Sequence, residues 1–386
     1  MKGVMRKARG HQRPRHLVIL ACLGLLLLVT GAAAADEPIK IGAIFALSGK
    51  AKNSNQPAVL GVQLAVEEIN SEGGVLGNPL ELLLFDNEST PIGSHLAAEK
   101  AAQEGVTGII GASWSSHSLA IAKVAQERKI PMISPISTIP SLTAIGDYIF
   151  RVCYTDTLQG AILAQFAYRD LKARSALIFI DISSDFSLDI AQIFKTNFTA
   201  LGGTVSREIE YKTGQSDYSL QIRQALADTS DVVFLAGYDE SGFIAAKLQE
   251  AGAGAIPIGS DGWDADSFFT LGGNKIRLGY YVNHWSPAHE DPLSRAFSEK
   301  YGKDGEIKAP TALAYDAVNI LVAAIRLAES PDHEAVRRSL AGLRGFKGVT
   351  GEIAFDARGD AVKSACIVEI RDGIPRHRKC YNQQQP

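Results

Sequence analysis

IKIGAIFALSG at 39–49, followed by AVLGVQLAVEEINSEGG at 58–74 and LELLLFDN at 80–87, decides how this chain is read. The outer stretches are short and almost continuously apolar, as strands covered on both faces are. The middle stretch repeats apolar residues at helical spacing and ends on Gly73 and Gly74, which read as a helix C-cap. The alternation continues with strands at VTGIIG (106–111), PMISP (131–135), SALIFID (175–181), TVSREIEY (204–211), DVVFLAG (231–237), AIPIGSD (255–261) and LGYYVNHW (278–285). Between them, amphipathic helices are expected over 94–105, 118–129, 187–203 (capped by Gly202), 218–229 and 241–252. The fold class is therefore α/β, with mainly parallel sheets flanked by helices.

MKGVMRKARGHQRPRH is basic, LVILACLGLLLLVTG is apolar, and AAAA precedes Asp36, the pattern of a secretory signal peptide cleaved near Ala35. The apolar run is shorter than the ~20 residues of a membrane-spanning helix. A lipid anchor on Cys22 is disfavoured because Leu20 is bulky and the apolar run continues past the cysteine. No second long apolar segment is expected, so the mature chain should be soluble outside the cytoplasm. Its length, about 350 residues, exceeds what one core usually spans and suggests two lobes. With 39 Lys and Arg against 42 Asp and Glu and no basic run, nucleic acid is not an expected partner. Cys366 and Cys380 lie at equal distances from Gly373 in a stretch reading strand, Asp-Gly turn, strand, so a cross-strand disulfide is expected, with two thiols as the alternative. Cys153 is left over and expected to be buried.

Open α/β sheets bind ligands at the carboxyl ends of their strands. At such a place GASWSSHS (111–118) sets Trp114, Ser115, Ser116 and Ser118 where a helix begins, so hydroxyls and backbone N–H groups can receive a carboxylate or phosphate; simple N-capping is the competing reading. SPISTIPSLT (134–143) brings Ser137 and Thr138 on a loop stiffened by Pro135 and Pro140. Later, AGYDE places Tyr238 and GSDGWDAD places Asp261 and Trp263 at strand ends, where Asp261 serves either as a helix cap or as the acceptor for an ammonium group. Asp156 and Gln159 in CYTDTLQG lie beside a chain crossing and either line a cleft or make structural hydrogen bonds.

At these residues the chain resembles the periplasmic substrate-binding proteins of ABC transporters, in the branched-chain amino-acid-binding (Leu/Ile/Val-binding protein-like) family. IKIGAIFALSG with GVQLAVEEINSEGGVLG, ISPISTIPSLT, YIFRVCYTDTLQG with SSDFS, GSDGW and APTALAYDAVNILVAAI follow the family's order and spacing across roughly 38 to 372. The resemblance implies the type I two-lobed fold with three crossover strands, near 152–156, 281–285 and 346–352. One lobe is then 36–154 plus 283–348 and the other 155–282 plus 349–380, leaving a tail at 381–386. It also implies that Ser115, Ile136 and Thr138 hold a ligand carboxylate, Asp261 holds its ammonium, and Tyr238 and Phe186 are aromatic contacts, Phe186 standing where the family often has tyrosine. Ser54 stands where the family's first loop often has a tyrosine, and Trp114 where some relatives have a bridged cysteine; both, with Trp263, are candidates to border the side-chain pocket, and Ser116, Ser137 and Asp156 are further candidates. The implied function is capture of an amino acid by hinge closure and delivery to ABC permease subunits in the inner membrane, as a periplasmic monomer. A sensory receptor of the same fold remains the alternative.

Enzyme readings find no support in the motifs. There is no G-x-S-x-G elbow, SGK at 48–50 lacks the context of a phosphate-binding loop, and AGAGA at 251–255 precedes a strand rather than a helix. The histidines are scattered, so no metal or cofactor is expected.

Overall fold

The protein is described here from a computed structural model covering residues 1–5, 37–286, 291–302 and 307–381. The apolar run and cleavage site of the expected signal peptide, Cys22 and residues 382–386 lie outside those residues. In the first lobe, β1 (Ile39–Phe45), α1 (Lys52–Ser71), β2 (Leu80–Asp86), α2 (Pro91–Gln103), β3 (Gly108–Gly111), α3 (Ser115–Arg128), β4 (Met132–Ser134) and β5 (Ile149–Arg151) follow in order. The strands form one parallel sheet in the order β2-β1-β3-β4-β5. The near-continuous apolar run of β1 is explained by its two covered faces. Ile41, Ala43 and Phe45 join one core with α1, while Ile44 joins another with α2 and α3.

The second lobe follows with α4 (Asp156–Gln165), β6 (Ser175–Asp181), α5 (Asp185–Ala200), β7 (Thr204–Tyr211), α6 (Ser219–Leu226), β8 (Val232–Ala236), α7 (Glu240–Glu250), β9 (Ile256–Gly259), α8 (Asp266–Leu271) and β10 (Leu278–Asn283). The chain then returns to the first lobe as α9 (Pro292–Tyr301), α10 (Ala309–Ala328), α11 (His333–Gly342) and the hairpin β11 (Phe346–Gly348) and β12 (Gly351–Ile353). Finally β13 (Ala365–Arg371) and β14 (Ile374–Tyr381) add antiparallel strands to the second sheet, ordered β14-β13-β10-β9-β8-β6-β7. Their turn uses Asp372 and Gly373, both at positive φ (51° and 77°), the backbone that a two-residue hairpin demands. Cys366 and Cys380 face each other across this pair and are joined by a disulfide; Cys153 is free and buried.

Several elements differ from the sequence expectation. Helix α1 begins six residues before Ala58 and carries Pro57 inside it, so GKAKNSNQP is not a loop and Ser54 sits on the helix's first turn. Pro57 is the sixth helical residue, so α1 forgoes the hydrogen bond an N–H there would give to the Asn53 carbonyl, and the burial of the rest of the helix offsets that loss. The third passage between sheets comes later than 346–352, since Ile353, Phe355 and Ala361 are buried in the first lobe's core. Tyr381 pairs with Ala365 inside β14 and is not part of a tail. A second long apolar segment does exist. Helix α10 is 20 residues long and apolar enough to cross a membrane, but about two thirds of it is buried in the protein. It packs on α1 through Val62, Ala65, Leu313 and Ile325. At their crossing Gly61 admits the backbone of Thr311, whose carbonyl oxygen would lie 2.1 Å from any Cβ there.

Candidate functional site

Strand ends of both sheets deliver their loops to one small cavity of about 40 Å³. Ser54, Trp114, Ser115, Ile136 and Thr138 line it from the first lobe, and Phe186, Tyr238 and Asp261 from the second, with Gly262, Asp264, Ala265 and Pro310 completing the wall. On the first-lobe side, β3 ends at Gly111, whose φ of +147° and 2.3 Å approach to the Ile44 carbonyl exclude a side chain. The chain therefore turns directly into α3. Trp114 is the N-cap of that helix but supplies no capping side chain. His117 and Ser118 donate their N–H groups back to the Trp114 carbonyl, and the Ser115 amide reaches the hydroxyl of Tyr238. Ser115 thus stands, buried, at a helix N-terminus, whose dipole favours an anion.

The neighbouring loop is braced from beneath. Ser137 Oγ lies 2.6 Å from Ser118 Oγ and donates to the Ser113 carbonyl at 3.1 Å, while Arg151 donates to the Ser137 carbonyl at 2.9 Å. Ser137 therefore ties the two loops together and does not line the cavity, and Ser116 at the outer side of the helix start does not line it either. Thr138 is buried at the cavity wall, and its carbonyl accepts the Asp156 N–H at 2.8 Å, linking the loop to the first crossover.

From the second lobe, Tyr238 lies between Trp114 (centroids 4.5 Å apart, planes 7° apart) and Phe186 (5.1 Å, 25°). Each such pair contributes about 0.5–1.5 kcal/mol beyond its buried area, and the Trp114 stack joins the lobes. Asp261 begins a short turn after β9. Its Oδ1 accepts from Gln159 Nε2 at 3.0 Å, its N–H donates to Gln159 Oε1 at 3.3 Å, and its Oδ2 lies 2.9 Å from His284 Nε2. A carboxylate has about four acceptor positions, so these contacts orient Asp261 and leave it able to accept from a ligand ammonium.

Two expected contributors take other places. Asp156 sits behind Asp261, accepting from Gln159 Nε2 at 2.6 Å and from the Thr138 hydroxyl. Burial first, and the Asp261 charge second, push its pKa well above the carboxylate range. Trp263 is fully buried in the second lobe, stacked on Phe268 at 4.7 Å over Gly259. His284 stands next to last in LGYYVNHW (278–285), just past the carboxyl end of β10, where the strand-end rule points to it. Pro310 has no local signal, since only the return of the chain through α10 brings it here. Among the described residues one group has metal-like spacing, Cys366, His377 and Cys380, and two of its three ligand atoms are joined in the disulfide.

His117 packs against the indole of Trp114 at 5.4 Å, and its Nδ1 lies 3.3 Å from Asn87 Nδ2. Burial lowers its pKa to about 4. The unfolded chain binds that proton near pH 6.5 and the folded one only near 4, so the stability of neutral His117 is complete above pH 6.5 and lost as pH falls toward 4. On acidification across that window the wild type should lose on the order of 2–3 kcal/mol more than His117→Gln. Urea denaturation of both proteins at pH 7 and pH 4.5 checks this; parallel losses would show that His117 is not the group responsible.

The chain matches the Periplasmic binding protein family over residues 38–374. Leu/Ile/Val-binding protein BraC3 of Rhizobium johnstonii is 29% identical over 330 residues, covering 84% of this chain and 89% of that protein. The crystal structure of a leucine binding protein, LivK, from Thermotoga maritima superposes with a TM-score of 0.85 and 34% identity, covering 90% of this chain and all of that one. LivJ from Streptococcus pneumoniae, a branched-chain amino acid transporter substrate binding protein in complex with isoleucine, gives 0.82 and 25%, covering 90% and 99%. Two α/β sheets joined by three passages of the chain, with strand ends converging on one cavity, agree with that match over nearly the whole described length: the chain belongs to the periplasmic binding protein family.

Proposed function

We propose that this chain is an extracytoplasmic solute-binding protein that captures an apolar, branched-chain amino acid between its lobes and delivers it to an ABC permease. The observation that carries the reading is the opposition, across one cavity, of an uncharged donor set and an acid: Ser115 and Thr138 on one side, Asp261 on the other, while the second acid of the wall, Asp264, is taken up by the Ala309 N–H and the Tyr281 hydroxyl. A zwitterion satisfies both ends there without a buried unpaired charge. Ile136, Ala265 and Pro310 with the Trp114 and Tyr238 rings suit an aliphatic side chain. In this reading Ser54 borders the same group, and export removes the residues before Asp36.

Hinge closure follows from the division of the site. One lobe satisfies one end of the ligand, so a ligand touching both favours the form in which they meet. The Trp114–Tyr238 stack and the Asp264 carboxylate, which accepts the Ala309 N–H at 2.8 Å, support that form. The test is a thermal-shift screen of the mature protein against the amino acids and aromatic carboxylates, since a ligand of the folded state raises the melting temperature. Leucine, isoleucine and valine should give the largest shifts; a shift with benzoates alone would replace the amino-acid reading. Ser115→Ala should weaken binding by roughly tenfold or less, because the neighbouring amides still meet the carboxylate. Calorimetry showing a loss as large as that of an Asp261 variant would reverse this ranking of the donors.

A further inference from the structure

Resting on the amino-acid reading of the site, we infer that Trp114 sets the size limit on the ligand, as a fixed partition between the amino-acid cavity and a second, larger cavity beside it. The inner cavity is about 40 Å³ and the outer one about 490 Å³. Lys50 lines the outer space from the first lobe; the loop between β7 and α6 lines it from the second, with α6, α7 and the end of α8. Among the residues lining the two cavities, Trp114 alone borders both. The outer space is an order of magnitude the larger, so the group that divides them decides how long a ligand side chain the site accepts. Its wall suits an apolar one, since Tyr218, Ile222, Phe243 and Leu271 stand there.

The indole is about 9% exposed and braced from several directions. Tyr238 stacks on it with centroids 4.5 Å apart and planes 7° apart, His117 packs at 5.4 Å, and Lys50 Nζ lies 5.6 Å from the ring centroid. Ala46 and Ala51 pack against it too, and their small side chains leave the room a bicyclic ring needs. Swinging the ring aside would break the stack that joins the lobes together with the cation–π contact, so the partition stays in place while the lobes are closed. Tyr238 does not share the role. It lines the inner cavity alone and is backed by Phe186 at 5.1 Å, so shortening it would not join the two spaces.

The test is isothermal calorimetry with leucine and phenylalanine on the wild type, Trp114→Ala and Trp114→Leu. Trp114 gives α3 no side-chain cap, so neither substitution removes one. The wild type should bind phenylalanine roughly a hundredfold more weakly than leucine, because the ring overfills a close-packed wall. In Trp114→Ala phenylalanine should gain roughly tenfold or more while leucine weakens, leaving the two within about tenfold of each other. Trp114→Leu should give part of that gain, and it covers an alanine variant that fails to fold. Adding Ile222→Trp to Trp114→Ala refills the outer cavity and should cancel the gain. A wild type that takes phenylalanine as tightly as leucine would overturn the inference, as would an unchanged preference in both variants or a gain that survives Ile222→Trp. If the wild type binds neither amino acid, the amino-acid reading itself fails. The partition is then judged by a ligand-free crystal structure of Trp114→Ala: one continuous cavity supports it, and Tyr238 or Lys50 filling the space contradicts it.

Discussion

Asp261→Ala should abolish amino-acid binding, with calorimetric affinity falling by at least a hundredfold, while the protein folds. Removing one partner of a buried, hydrogen-bonded charge pair costs about 2–5 kcal/mol, because the other charge is then desolvated without compensation. Here that stranded charge is the ligand ammonium. Asp261 is about 7% exposed and held by Gln159 and His284, so it cannot be replaced by another acid swinging in. Its neighbour Asp156 is turned toward Gln159, and burial disfavours its charged form. Asp261→Asn sharpens the test, since the amide keeps the shape and the Gln159 contact but not the charge. Melting temperatures near wild type with affinity lost in both variants would assign the loss to charge. Unchanged affinity in Asp261→Asn would remove Asp261 from the role.

Arg151→Met should destabilise the protein by about 3–5 kcal/mol in urea denaturation, the usual cost of removing one partner of a buried ion pair, since the cation left to Asp360 is the largely exposed Arg358 at 3.7 Å. Arg151 is fully buried at the end of β5, and its Nε lies 2.6 Å from Asp360 Oδ1 as an ion pair outside hydrogen-bond geometry. Its other nitrogens donate to the Ser137 carbonyl at 2.9 Å and Thr143 Oγ1 at 3.3 Å, and Thr143 itself donates to Asp360. One side chain thus holds the loop that carries Thr138 and the late segment that brings Asp360 back to the first lobe. Leucine affinity should fall with stability, as that loop loses its anchor. Combining Arg151→Met with Asp360→Leu should recover much of the stability, because both charges are then gone. A single-variant loss under 1 kcal/mol would show that water or another cation relieves Asp360.

The alternation of buried strands with amphipathic helices was legible because its periods, two and 3.6, are properties of the elements themselves. Strands β6 and β7 occupy the stretches read from the sequence, since each is bounded by turn residues at both ends. The short β5, with three residues, carries too little periodicity to be seen. Pro57 reads as a helix boundary in the sequence, because only the packing of α1 against α10 shows that the helix continues through it. The third crossover was set too early for a similar reason: Ile353 and Phe355 look like any apolar residues, and only packing shows which lobe buries them.

Within the site, strand-end loops marked Ser115, Thr138, Tyr238 and Asp261, which the structure brings to one cavity. Chemistry alone could not sort residues of the same type standing side by side. Ser137 and Ser115 are both buried serines in strand-end loops, yet one braces the loops and the other faces the cavity. Asp156 and Asp261 are both acids beside Gln159, yet only Asp261 lines the cavity. Trp114 and Trp263 divide the same way, one at the cavity and one in the core.

The bridging of a zwitterion is tested most directly by comparing leucine with its two half-molecules, 4-methylpentanoate and 3-methylbutylamine, in calorimetry against the mature wild-type protein. Each analogue keeps the side chain and one charged end. The account predicts that leucine binds and that each analogue loses at least a hundredfold in affinity. Binding of 4-methylpentanoate as tight as that of leucine would contradict it, because Asp261 would then have no ammonium to hold.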